Sequence, residues 1–244
     1  TRSVSAFLLN RSSDIRLFQG CVNIGAIEIP NTVEGIYRSA FEDTYMCKSL
    51  TFEAGGTELL SLGTAAFENN GHEGVLTLPS RVGSISYDGY IFEYCFGVTE
   101  YALNSDNVEG NKLSVEDGVL FYSENSNKCL VSYPDANPRT SYTIPSDVTK
   151  VFCNDGFCDA IHLETLNVAP ANGVSIFFDG YSCTEMDNLS TLNLGGEGHI
   201  IIYWYAFRTA KSLKDVVIPE NVEVRECNRR SDERFSRNAE TDIV

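Results

Sequence analysis

Short triplets in which two apolar residues flank a third residue punctuate the chain: Ile27-Glu28-Ile29, Leu50-Thr51-Phe52, Leu76-Thr77-Leu78, Tyr101-Ala102-Leu103, Tyr142-Thr143-Ile144, Leu166-Asn167-Val168, Leu192-Asn193-Leu194 and Val216-Val217-Ile218. A period of two predicts half-buried strands, with the outer pair inward and the middle residue outward. Pro30, Pro79, Pro145 and Pro219 follow four of the triplets, and proline ends a ladder because it has no N–H to donate. A second inward pair comes next, as in Val33 with Ile36, Val82 with Ile85 and Val148 with Val151. A phenylalanine then closes the unit at Phe18, Phe41, Phe67, Phe92, Phe157 and Phe207. Its ring is large enough to fill the turn from inside.

The first four phenylalanines are 23 to 26 residues apart. The gap from Phe92 to Phe157 holds an insertion, and that from Phe157 to Phe207 holds a degenerate copy near Phe178–Cys183. A strand of three residues cannot bury its apolar face alone, but stacked copies can. The pattern therefore predicts a solenoid rather than a β-sandwich, whose evenly spaced strands do not reuse one phrase. Within the insertion, about residues 104–140, Leu113–Tyr122 and Cys129–Tyr133 are β-rich and Glu124-Asn125-Ser126-Asn127 reads as a hairpin loop. This hairpin is expected to project from the solenoid edge. Residues 1–17 read as an incomplete first repeat that caps the array. Residues 1–222 are expected to form a single solenoid, and 223–244 a C-terminal cap or disordered tail. From Arg225 that tail carries five arginines against five acids.

The phrase resembles the BspA-like class of leucine-rich repeats, roughly Ile-Pro-x-x-Val-x-x-Ile-x-x-x-Ala-Phe-x-x-Cys-x-x-Leu-x-x-Ile. Phe18-x-x-Cys21, Phe92-x-x-Cys95, Ser39-Ala40-Phe41, Ala65-Ala66-Phe67 and the Ile-Pro and Leu-Pro pairs carry the likeness. Asp117-Gly118-Val119-Leu120-Phe121-Tyr122 followed by Leu130-Val131-Ser132-Tyr133-Pro134 is similar to a hairpin of that family. The resemblance covers about residues 15–222. It implies a right-handed solenoid, with short parallel strands on one face and turns or short helices on the other. It also implies an exported or cell-surface protein linked to adhesion and protein binding, with no catalytic residues to carry over.

The formal net charge is −16. That argues against nucleic acid, whose phosphates need a basic footprint, and against anionic membrane surfaces. No apolar stretch approaches the ~18 residues of a membrane span, so direct membrane insertion is not expected. The absence of a signal peptide is read as that of a fragment or mature form. Eight cysteines are expected mainly as buried thiols, with Cys21 and Cys95 in the small core slot of the repeat. Cys153 with Cys158 is the pair to check for a bridge.

Among the three histidines, His72, His162 and His199, none falls in a nucleophile or zinc motif. Cys153, Cys158 and His162, with Asp155 or Asp159, make the most metal-like cluster, at a spacing that zinc sites do not use. Asp14, Glu116-Asp117, Asp155 and Asp187 offer carboxylates to calcium without the dense alternation of a calcium loop. No metal, cofactor or catalytic residue is therefore assigned. The expected role is a non-catalytic cell-surface or secreted module that binds a host or extracellular protein or a glycan. A structural spacer that presents another domain is the alternative. The candidate binding stripe is the outward ladder with its flanks: Glu28, Thr51, Thr77, Glu100, Thr143, Asn167, Asn193 and Asp215. Tyr45, Tyr87, Tyr90, Tyr203, Trp204 and Tyr205 have better hot-spot composition, but most of them are expected in the core.

Overall fold

A computed structural model describes residues 2–5, 16–87, 89–106 and 108–226. They wind into a parallel β-solenoid of about eight turns, and no helix occurs among them. The triplets build the first strand row: β2 (Ile24–Ile29), β4 (Ser49–Phe52), β6 (Gly74–Leu78), β8 (Val98–Leu103), β12 (Ser141–Thr143), β14 (Thr165–Val168) and β16 (Thr191–Leu194). β1 (Arg2–Ser5) adds to β2 in parallel. Seven of the eight triplets thus fall on strands. Val216–Ile218 does not, and Val217 is 81% exposed. No further coil among the described residues covers its outer side, so ordering this segment would bury little.

The far side of the coil differs from the expected turns or short helices. The second inward pair makes a second strand row: β3 (Gly35–Ile36), β5 (Leu60–Leu62), β7 (Val82–Ile85), β13 (Val148–Val151), β15 (Ser175–Phe178), β17 (His199–Tyr203) and β18 (Val222–Arg225). β18 carries the array slightly past residue 222, and residues 227–244 of the expected cap or tail lie outside the described residues.

Most coils close in a tight turn around a phenylalanine, and Cys183 takes that place between Phe157 and Phe207. Phe18, Phe41, Phe67 and Phe92 stack ring on ring at 5.3, 5.6 and 5.8 Å with interplanar angles of 11° or less. At every ring but Phe157 the residues two before and two after it adopt left-handed backbone angles, as in Ser39 and Asp43 around Phe41 or Ala65 and Asn69 around Phe67. Asp and Asn tolerate that region better than most side chains, and Gly20 takes it freely after Phe18. This alternation points amides along the solenoid axis. Phe41 and Asp43 accordingly donate to the carbonyls of Ala66 and Glu68 on the next coil, both at 2.9 Å.

The insertion does not project. β9 (Leu113–Glu116), β10 (Val119–Glu124) and β11 (Asn127–Ser132) form an antiparallel meander, and β11 pairs in parallel with β13. Leu120, Tyr122, Cys129 and Val131 pack into one hydrophobic cluster with the N-terminal coils. Val119, Phe121 and Leu130 pack into a second cluster with the C-terminal coils. Within the meander, β10 and β11 form a partition buried on both faces. Its unbroken apolar runs, Val119-Leu120-Phe121-Tyr122 and Cys129-Leu130-Val131, are what such a strand requires. A hairpin standing in solvent would have alternated.

One side chain splices the first strand row where β4 and β6 do not pair. The buried imidazole of His72 accepts the Leu50 amide at Nδ1 (2.9 Å), which leaves Nε2 to donate to the Val75 carbonyl (3.1 Å). His72 thus replaces a peptide group in the ladder. His72→Ala would strand both backbone groups and is expected to destabilise by about 1–3 kcal/mol, read as a lower midpoint in urea. An unchanged midpoint would mean that water replaces the ring at no cost.

Candidate functional site

The outward stripe is on the surface as expected. Glu28, Thr51, Thr77, Glu100, Thr143, Asn193 and Asp215 are exposed and Asn167 is half-buried. They do not form one hydrogen-bonded register. Glu28 lies beside Thr51, Thr77 beside Ala102, and Glu100 beside Val75. Thr143, Asn167 and Asn193 are aligned on three successive strands. Asn193 Nδ2 donates to Asn167 Oδ1 at 2.8 Å, and Asn167 Nδ2 to Thr143 Oγ1 at 3.1 Å. Asp215 shares a shallow surface hollow with Asn193, Lys214 and Val217.

The turn edge is a second candidate face. The turns put Glu42 and Asp43, Glu68, Glu93, Asp159 and Glu185 one or two places after the residue that fills each turn, Phe41, Phe67, Phe92, Phe157 and Cys183. Backbone bonds hold successive turns in register, with Asn69 donating to the Glu93 carbonyl and Asp159 to the Thr184 carbonyl. Like charges on neighbouring strands, about 4.8 Å apart, repel. No ion pair among the described residues reaches any of these six carboxylates.

The consequences appear in their acidity. Burial, reinforced by Glu42 and Asp43, pushes Glu68 up to about 7. Burial, then Asp155, Glu68, Asp159 and Glu185, pushes Glu93 up to about 8. Burial and Glu185 push Asp159 up to about 7. Burial also takes Asp155 to about 7, outweighing the Phe92 and Ile91 amides that favour its charge. In each case the folded value is above the unfolded one, so the folded state holds more protons between the two. Stability then falls as pH rises through that window. We expect the melting temperature to rise as the pH is lowered from about 8 to about 5, opposite to the usual acid trend. A flat or inverted profile in thermal melts would contradict this.

The exposed aromatics correct a second expectation. Tyr45, Tyr87, Tyr90, Trp204 and Tyr205 are exposed and Tyr203 is half-buried, so this set does not belong to the core. Trp204 stacks on Tyr205 at 4.1 Å, and the Arg208 guanidinium lies 5.4 Å over Tyr205 and 6.0 Å over Tyr181.

The seven described cysteines are free thiols, and Cys227 lies outside the described residues. Cys95 fills the core slot, its Sγ donating to the Phe67 carbonyl of the preceding coil. Cys21, expected in the equivalent slot, is exposed on the first described turn. The Cys153 and Cys158 thiols donate separately, to the Gly180 and Tyr181 carbonyls, and His162 is exposed. Among the described residues no group of three His, Cys, Asp or Glu is arranged to hold a metal ion. Of the loop carboxylates, Glu116 pairs with Lys128 and Asp187 with Lys211, while Asp14 lies outside the described residues.

The model of the BspA type leucine rich repeat region matches this chain in six copies, over residues 13–115 and 135–229. The chain belongs to the BspA-type leucine-rich repeat family. The stretch between the two matched blocks contains β10 and β11, so the partition lies outside the family repeat. A leucine rich cell surface protein from Faecalibacterium prausnitzii is similar at 16% identity and a TM-score of 0.56, over 89% of this chain and 64% of the other. The pneumococcal vaccine antigen PcpA is similar at 20% identity and a TM-score of 0.50, over 88% of this chain and 65% of the other. This BspA-type chain therefore spans just under two thirds of each, and at such identities the likeness shows the fold alone. No functionally curated protein matches it. The family is generally one of interaction modules rather than enzymes. No helix of this BspA-type chain is long and apolar enough to cross a membrane, among the described residues.

Proposed function

We propose that this chain is a non-catalytic recognition module of a secreted or cell-surface protein, which binds a host or extracellular protein or a glycan. The binding face in this reading is the first strand row, with Glu28, Thr51, Thr77, Glu100, Thr143, Asn167, Asn193 and Asp215. The observation that carries it is an exposed polar ladder on a rigid repeat scaffold, the kind of extended surface solenoids use for binding. Family membership and the description of the F. prausnitzii neighbour as a cell surface protein support the location.

The mutual bonding of Thr143, Asn167 and Asn193 favours a second reading, a spacer that presents another domain. A ladder that satisfies itself offers a partner less. The test is binding to immobilised extracellular-matrix proteins and glycans by wild type, Thr77→Arg and Asn193→Arg. Loss of about tenfold or more in affinity for a saturable partner supports the stripe. A partner retained by both variants moves the site elsewhere, and a blank across the array favours the spacer.

A further inference from the structure

The acidic turn edge has no part in the strand-face reading, yet it is the more unusual surface. Glu42, Asp43 and Glu68 are half-buried, Glu93 and Asp159 are buried, and Glu185 is exposed. They run along successive coils for roughly 20 Å, about the span of six extended residues.

Two buried oxygens on this edge lack a donor. Asp159 is 7% exposed, and its Oδ2 has no hydrogen-bond partner although Glu185 lies within carboxyl–carboxyl reach. Asp135 is 5% exposed with an equally unpartnered Oδ2, and it faces Asp159, Asp155 and Glu93. Asp159 and Glu185 can bond to each other only by sharing a proton, so once both ionise their facing oxygens need an outside donor. An ammonium supplies three N–H groups and a guanidinium five. Beside Glu93 stand exposed Tyr90 and Phe96 and half-buried Tyr94, and Tyr94 packs on Phe96 at 5.8 Å. Such faces take the apolar stems and the charge of Lys and Arg together. Arg208 makes that contact within the chain, over Tyr181 and Tyr205 further along the same turns.

We propose that the turn edge from Glu42 to Glu185 is a docking site for an extended, lysine- or arginine-rich segment of a partner protein. The partner's cations neutralise the aligned carboxylates, one seats between Asp159 and Glu185, and the aromatics of the Phe92 turn hold its side-chain stems. Binding requires the ionised edge, so affinity rises with pH. The groups involved face one another. Glu68 faces Glu42, Asp43 and Glu93. Glu93 faces Asp155, Asp159 and Glu185, with the Tyr90 and Tyr94 phenols and the Cys158 thiol nearby. Asp159 also faces Asp135 and Asp187, the latter held by Lys211.

The experiment is fluorescence anisotropy with a labelled peptide of about ten residues alternating Lys and Ala, at about 150 mM salt to screen the diffuse field. Saturable binding is expected to weaken about tenfold or more in Glu68→Gln/Glu93→Gln and less than about twofold in the strand-face pair Glu28→Gln/Glu100→Gln. The two pairs are compared at about pH 8.5, where Glu68 and Glu93 are mostly ionised and their loss removes a charge comparable to that of the strand-face pair. Wild-type affinity is expected to rise between about pH 6 and about pH 8.5. Equal loss in the two pairs, no saturable binding, or affinity that does not rise with pH would each overturn the proposal. Should Glu68→Gln/Glu93→Gln melt early, the more exposed pair Glu42→Gln/Glu185→Gln takes its place with the same thresholds. Failure of the strand-face reading is scored separately, because Thr77→Arg and Asn193→Arg are expected to leave this peptide bound.

Discussion

Phe67→Ala is expected to destabilise the protein by about 3–5 kcal/mol, the range for removing a fully buried aromatic ring. For a chain of this size that lowers the melting temperature by roughly 10 °C. The ring has no exposure and is held on three sides, by Phe41 at 5.6 Å, Phe92 at 5.8 Å and the edge of Phe52 at 6.0 Å. Its backbone is bonded to the Ile91 carbonyl of the next coil, so the turn cannot readily collapse into the void. Because a solenoid is coupled chiefly between neighbours, the damage should concentrate in the N-terminal cluster. Hydrogen exchange should show faster opening of β4 to β7 than of β14 to β17. Phe96→Ala, at an exposed ring of the same turn row, is the control and should change stability by about 0.5 kcal/mol or less. Equal effects at the two positions would contradict the stacked-ring account.

Asp155→Ala is expected to cost about 2–5 kcal/mol, because it leaves two buried amides without an acceptor. The turn row is interrupted where the meander enters. There the Asp155 carboxylate, buried itself, accepts the Ile91 and Phe92 amides at 3.0 Å each. It does for the turn row what His72 does for the strand row. Asp155→Asn should recover part of the loss, since a carboxamide keeps one accepting oxygen but turns an N–H towards a donor. The two half-cores meet at this junction, so equilibrium unfolding of Asp155→Ala followed by near-UV and far-UV signals should separate into two steps. Unfolding with an unchanged midpoint would mean that the halves are joined by the meander alone.

Much of this architecture was legible in the chain. The period-two triplets located seven first-row strands, and the recurring phenylalanines located the turns. These features are local and repeat, so each copy confirms the next. The eighth triplet, Val216–Ile218, has the same local pattern but no covering coil among the described residues, and no local pattern reports its neighbours. Cys21 shares the local pattern of buried Cys95 yet is exposed, and the same limit applies. Of the candidate stripe, exposure was readable from alternation. Its division into separate registers at β4/β6 and around the meander was not.

The sequence by itself determined the repeat, the inward and outward faces of its triplets, the ring at six of its turns and the acidic balance. These follow from periodicity and composition, which act within one coil. Only the tertiary structure decided that the insertion is a two-faced partition and that His72 and Asp155 splice the two rows across gaps. It also decided that acids scattered from Glu42 to Glu185 in sequence line one edge. Those outcomes depend on which coil stacks on which and in what register, and stacking brings together residues about 25 or more positions apart.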